Sequence, residues 1–175
     1  MSTSTESTLP ASVLLVDDET SFVEAMAERL ALRNFKAIVA NTGDEALAQL
    51  EKNPELDVVV LDLRMPGMGG IETLNEIKKK HPLMSVVILT GHATVKTSVE
   101  AMKTGAFEYL EKPYDIEQLV ATITAALARK RKFEDRIFDA RIKPYCTGGE
   151  RKKIIKGLID EAAGNGRGSG EDDEK

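Results

Sequence analysis

The sequence predicts an α/β protein built on a doubly wound, five-stranded parallel sheet with strand order 2-1-3-4-5. Five short runs rich in β-branched or aromatic residues alternate with five segments whose apolar residues recur at helical spacing. Three of the runs are uninterrupted apolar stretches, which are typical of central parallel strands covered on both faces. Strict alternation of strand and helix, joined by right-handed crossovers, produces such a sheet.

The predicted strands cover residues 12–16, 36–40, 58–61, 86–89 and 107–110. The helix after the first strand carries apolar residues at i, i+4 spacing between Phe22 and Leu30, and Ser21 with Glu24 indicates a capping box at its start. The next helices are predicted over residues 43–52, 71–80, 95–104 and 116–131, and Asp115 with Gln118 marks the start of the last one.

The helical pattern weakens beyond residue 131, where the basic run 129–132 interrupts the apolar stripe of the fifth helix. Residues 150–163 predict one more short amphipathic helix, whose apolar side docks on another surface. We therefore expect a disordered N-terminus over residues 1–11, one domain over 12–128, a helical extension over 129–163 and a disordered tail over 164–175.

Composition excludes several classes of protein. A single cysteine, Cys146, and two isolated histidines provide neither a disulfide framework nor a zinc centre. No leader and no apolar stretch of membrane-spanning length is present, so we expect a soluble cytoplasmic protein. Residues 1–128 contain 11 Lys and Arg against 19 Asp and Glu, while residues 129–175 contain 13 against 10. The acidic main domain disfavours nucleic acid as a partner.

Polar residues follow the predicted strands at the edge of the sheet where ligands bind in this topology. Asp17 and Asp18 follow the first strand, Asp62 the third, Thr90 the fourth and Lys112 the fifth. Three converging carboxylates repel one another unless they bind a cation, and hard oxygen donors suit Mg²⁺. A carboxylate beside Mg²⁺, with an ammonium and a hydroxyl nearby, can accept a phosphoryl group.

Four motifs carry a resemblance to a known family: VLLVDDE, VVVLDLRMPGMGGIE, VVILTGHAT and FEYLEKP, in this order. The sequence resembles the receiver domain of bacterial two-component response regulators over residues 12–127, and within that family the nitrogen-regulation type. The resemblance implies a flavodoxin-like (βα)5 fold. In the nitrogen-regulation type an ATPase and a DNA-binding domain usually follow the receiver, and residues 139–175 are too few for an ATPase.

The resemblance also implies a role for each site residue. Asp62 would be the phosphoacceptor and Lys112 the partner of the phosphoryl oxygens. Asp17, Asp18, Asp62 and the backbone carbonyl of Arg64 would hold Mg²⁺. Thr90 and Tyr109 would form the conformational switch. The Lys112–Pro113 bond would be cis, and Arg64 and His92 would set the lifetime of the acyl phosphate.

We therefore expect a phosphorylation-activated switch and no enzyme beyond self-catalysed phosphoryl uptake and loss. Its partners would be a sensor histidine kinase or a histidine phosphotransfer protein, then a downstream protein or a second copy through the face of helix 4, strand 5 and helix 5. One alternative is a DNA-binding transcriptional regulator that uses the basic extension. Another is a Mg²⁺-dependent phosphatase with an aspartyl-phosphate intermediate. Such phosphatases usually have an acidic residue two positions after the nucleophile, and in this sequence that position is Arg64.

Overall fold

The computed structural model describes residues 10–164. The two segments expected to be disordered, residues 1–11 and 164–175, lie outside this range except for Pro10, Ala11 and Gly164. Ala11 is already the first residue of a strand.

Five strands lie within residues 10–164: β1 (Ala11–Val16), β2 (Phe35–Ala40), β3 (Val58–Leu61), β4 (Ser85–Thr90) and β5 (Glu108–Glu111). They form one parallel sheet in the order β2-β1-β3-β4-β5, which confirms the predicted fold class and strand order. In the register, Val16 lies beside Leu61 and Thr90 beside Glu111. The residues that follow β1, β3, β4 and β5 therefore emerge at one edge of the sheet.

The helices are α1 (Thr20–Ala31), α2 (Gly43–Lys52), α3 (Gly70–Lys80), α4 (Val95–Thr104), α5 (Ile116–Ile142) and α6 (Gly148–Ala162). The predicted capping box of α1 is wrong: Glu19 is the N-cap, without a side-chain hydrogen bond, and Ser21 lies inside the helix. Asp115 does cap α5, where its carboxylate accepts a hydrogen bond from the Glu117 amide.

Helix α5 extends 11 residues past the predicted end at residue 131. Phe133, Ile137 and Ala140 continue its buried stripe. The basic run does not interrupt this stripe, because Lys130 is itself buried and its ammonium donates to the Leu56 carbonyl oxygen at 2.7 Å. A lysine can bury its methylene stem when its ammonium finds acceptors.

Two apolar layers enclose the sheet. Alternate residues of the central strands pack either against α2, α3 and α4 or against α1 and α5, as the two-residue period of a strand requires. No helix among residues 10–164 is long and apolar enough to cross a membrane. The layered core fixes the strand ends that position the site described below.

Helix α6 folds back along α5. Leu158 packs with Ile137 and Ala140 of α5, and Arg136 forms a two-pronged ion pair with Glu161 at 3.1 Å for each contact. The helix begins two residues before the predicted start at 150. The expected docking of its apolar side therefore occurs on the chain itself.

The end of α6 reaches the base of the sheet, by which we mean the edge formed by the amino ends of the strands. Lys78 is buried there, and its ammonium donates to the carbonyl oxygens of Met84 at 2.7 Å and Ala162 at 3.5 Å. Burial lowers the pKa of Lys78 to about 8, and the positive charge of Arg129 adds to the effect. Gly105 has a φ of +104°, and a side chain at this residue would collide with the Ala163 carbonyl oxygen.

Candidate functional site

Three carboxylates meet where β1 and β3 end. The amide of Asp62 donates to the Val16 carbonyl and the amide of Asp17 to the Ala40 carbonyl, so the sheet ladder fixes both backbones. One carboxylate oxygen from each of Asp17, Asp18 and Asp62 lies within 4.8 Å of the others. Asp17 and Asp62 are buried, whereas Asp18 is exposed. The pocket can hold a metal ion, because hard oxygen donors at this separation suit a divalent cation.

Lys112 supplies the positive charge of the site. It follows β5, and its ammonium lies 2.6 Å from Asp17 Oδ2 and 3.8 Å above the ring centroid of Phe22. The peptide bond between Lys112 and Pro113 is cis. Lys112 thus bridges the end of β5 to the carboxylates that follow β1.

The surroundings of Asp62 shift the pKa of its carboxyl in both directions, with a net rise. Burial raises the pKa of the Asp62 carboxyl above its ordinary value and the negative charge of Asp17 raises it further, while the Thr90 hydroxyl and the Lys112 ammonium act in the opposite direction. Asp62 Oδ1 is buried, and no hydrogen-bond partner for it exists among residues 10–164. A buried carboxylate oxygen without a partner is costly unless a ligand or a group transferred to it provides one.

Thr90 and Tyr109 occupy different positions relative to the carboxylates. Thr90 is fully buried at the end of β4, and its hydroxyl accepts a hydrogen bond from the His92 amide at 3.2 Å. Tyr109 is half-buried on β5, and its hydroxyl lies 3.1 Å from that of Thr97 on α4. Tyr109 is therefore tied to α4 in this conformation.

Two other predicted residues lie in exposed loops. Arg64 is in the loop between β3 and α3, and His92 is in the loop between β4 and α4. The structure therefore brings together Asp17, Asp18, Asp62, Thr90 and Lys112, and it leaves the side chains of Arg64 and His92 at the surface.

Phe22 is the site residue that the sequence analysis did not single out. It belongs to the apolar stripe of α1, and its spacing to other apolar residues is that of an ordinary core position. The pairing with Lys112 joins residues that are distant in sequence, so no local pattern could have shown it. Phe22 also packs edge-on against Tyr114, with ring centroids 6.2 Å apart.

Comparison with known proteins identifies the family. The model of the response regulator receiver domain matches residues 13–124. The chain belongs to this family. The receiver is 40% identical over 122 residues to the transcriptional regulatory protein ZraR of Escherichia coli, covering 70% of this chain and 27% of that protein. It is 39% identical over 117 residues to the DNA-binding transcriptional regulator NtrC of Salmonella typhimurium, covering 66% and 24% respectively.

A solved structure shows the same architecture. A receiver domain protein from Clostridium thermocellum is 37% identical, with a TM-score of 0.67, and the match covers 70% of this chain and 98% of that one. By contrast, the match spans about a quarter of the length of the two curated relatives. The shared part is thus the receiver domain of two-component response regulators.

Proposed function

We propose that this receiver accepts a phosphoryl group on Asp62 from the phosphohistidine of a sensor kinase or a phosphotransfer protein. A carboxylate oxygen of Asp62 bonds to phosphorus while the phosphorus–nitrogen bond of the donor breaks, and the imidazole keeps the electron pair and takes up a proton. The observation that carries the proposal is the buried Asp62 Oδ1, which lacks a hydrogen-bond partner among residues 10–164. It lies among two further carboxylates, one ammonium and one hydroxyl.

The carboxylate cluster fits Mg²⁺. Asp17, Asp18, Asp62 and the backbone carbonyl of Arg64 would hold the ion, since Mg²⁺ prefers few carboxylates with water and phosphate oxygens completing its shell. When bound, the ion neutralises negative charge on the transferring phosphoryl group. The three carboxylates and Lys112 come from three different loops, those after β1, β3 and β5, so the binding site depends on the folded sheet edge.

Lys112 and Thr90 act on the product. The Lys112 ammonium moves from Asp17 to pair with one phosphoryl oxygen. The Thr90 hydroxyl donates a hydrogen bond to a second phosphoryl oxygen. Thr90 is close enough to Asp62 to lower the pKa of that carboxyl, which supports this role. Arg64 and His92, whose side chains are exposed in the loops after β3 and β4, would set the lifetime of the acyl phosphate.

Tyr109 would transmit the change to the surface. If Tyr109 follows Thr90 inward, its hydrogen bond to Thr97 must break, and this releases a contact between β5 and α4. The α4 surface carries the exposed apolar side chains of Val95, Val99 and Met102. This face, together with β5 and α5, would bind a downstream protein or a second copy of the receiver.

Contacts within the chain weaken the alternative that the basic extension binds DNA. Lys130 is buried against the Leu56 carbonyl, and Arg129 stacks near the rings of Phe107 and Phe133. Two of the four cations in the basic run are therefore engaged within the chain rather than presented to a phosphate backbone.

Intact-protein mass spectrometry tests the proposal. The wild-type chain and Asp62→Asn are incubated with acetyl phosphate, with and without Mg²⁺. We expect a gain of about 80 Da, one phosphoryl group, only in the wild type and only with Mg²⁺. A chain that gains no mass from acetyl phosphate or from a phosphohistidine donor, or an Asp62→Asn variant that gains as much as the wild type, contradicts the proposal.

A further inference from the structure

We propose that Phe22 is a positioning residue for Lys112: the face of its ring holds the ammonium beside the carboxylates, ready to reach a phosphoryl group on Asp62. This inference rests on the proposed phosphoacceptor function. It adds a residue of α1 to a site otherwise built from the end of β4 and the loops after β1, β3 and β5.

The geometry of Lys112 shows two partners of different kinds. Its ammonium lies 2.6 Å from Asp17 Oδ2 on one side and 3.8 Å from the Phe22 ring centroid on the other. A cation within about 6 Å of a ring centroid, above its face, is attracted by the negative charge of the π system. The Lys112 side chain is 20% exposed, so little water competes with this attraction.

The two partners differ in what a bound cation does to them. Asp17 belongs to the carboxylate cluster, and an oxygen that turns toward a divalent cation is withdrawn from the ammonium. The Phe22 ring has no charge and no affinity for a hard cation. It therefore keeps its attraction for Lys112 when the hold of Asp17 weakens, and the ammonium stays near Asp62 instead of swinging into water.

The ring of Phe22 is itself held in place. Tyr114 packs against it at an interplanar angle of 83°, and the surrounding side chains belong to the apolar cluster between the sheet, α1 and α5. Tyr114 lies two residues after Lys112 in the chain. The segment that carries the lysine thus also carries a side chain that fixes the orientation of its aromatic partner.

The first experiment measures the rate of Asp62 phosphorylation by acetyl phosphate at saturating Mg²⁺. The variants replace Phe22 with leucine or with phenylalanine that carries one, two or three ring fluorines. The fluorines withdraw negative charge from the ring face and nearly preserve the shape of the ring. We expect Phe22→Leu to react about three- to tenfold more slowly, and the rate to fall with each added fluorine. Phe35→Leu, the same change in the same apolar cluster but at the base of the sheet, leaves the rate unchanged.

The second experiment needs no metal and no phosphoryl donor. Urea unfolding of the wild type, Phe22→Leu, Lys112→Met and the double variant gives a double-mutant cycle without Mg²⁺. We expect Phe22→Leu to raise the unfolding equilibrium constant about threefold more when Lys112 is present than when methionine replaces it. A purely structural role of Phe22 predicts the same rise in both backgrounds.

The outcomes separate the two proposals. A wild-type chain that takes up no phosphoryl group overturns the proposed function, and the positioning role falls with it. A wild-type chain that is phosphorylated, with rates that do not change across the fluorinated series or with no coupling in the cycle, overturns the positioning role alone. The fluorinated series keeps this test valid even if Phe22→Leu does not fold.

Discussion

Replacing Lys78 with methionine removes a pH dependence of stability that its buried ammonium creates. The side chain lies beneath the end of α6, where the carbonyl oxygens of Met84 and Ala162 accept its hydrogen bonds. Burial lowers the pKa of Lys78 from 10.5 to about 8, and Arg129 contributes in the same direction. The folded chain therefore gives up this proton at a lower pH than the unfolded chain.

The sign and the size of the effect follow from this difference. Below pH 8 both states carry the proton, and the folded state bears the full cost of the buried charge. Between pH 8 and 10.5 the unfolded state binds more protons, so the free energy of unfolding rises with pH. At about 1.4 kcal/mol for each pKa unit, the total rise from Lys78 is roughly 3 kcal/mol.

Urea unfolding at several pH values from 7 to 10 measures this rise in the wild type, Lys78→Met and Lys79→Met. Lys79 is an exposed neighbour on the same helix and serves as the matched control. We expect the wild type and Lys79→Met to gain stability together relative to Lys78→Met, with most of the gain reached by pH 10. If the difference between wild type and Lys78→Met stays constant over this range, the ammonium is not buried as described.

Two further substitutions test the docking of α6. Gly105→Ala places a Cβ 2.5 Å from the Ala163 carbonyl oxygen at a positive φ, so we expect a loss of about 1–3 kcal/mol and faster amide hydrogen exchange at the end of α6. Gly67→Ala is the control, because Gly67 also has a positive φ but has open space around it. It should lower stability without affecting amide exchange in α6. If Gly105→Ala and Gly67→Ala show equal exchange in α6, this reasoning is refuted. Arg136→Glu should lower the free energy of unfolding by only about 0.5 kcal/mol, because the ion pair with Glu161 is partly exposed. Adding Glu161→Arg should restore the stability. A double variant that is no more stable than Arg136→Glu argues against the ion pair.

The sheet and the meeting of the carboxylates could be predicted because both follow from local pattern and topology. Alternating strands and helices determine a parallel sheet, and its carboxyl edge must then bring together the residues that follow neighbouring strands. Asp17 and Asp62 are adjacent for this reason, as the register of β1 with β3 shows. No side-chain detail was needed for that part of the site.

Other features depend on contacts between distant residues and were missed. Lys130 was expected to interrupt the apolar stripe of α5, although its ammonium reaches the carbonyl of Leu56 at the base of the sheet. The length of α5 depends on α6, which covers its far half. Ser21 has a suitable residue type for a cap, but α1 begins two residues earlier than the pattern indicated.

The hairpin of α5 and α6 also determines where Gly164, the last described residue, lies. Helix α5 has 27 residues and measures about 40 Å, yet α6 runs back beside it and ends against Gly105, just before β5. Whatever follows Gly164 therefore starts at the opposite end of the sheet from Asp62. Helix α4 borders both places, since it begins after the Thr90 loop and ends at Gly105. Gly164 thus lies beside the helix whose other end is near the acidic edge.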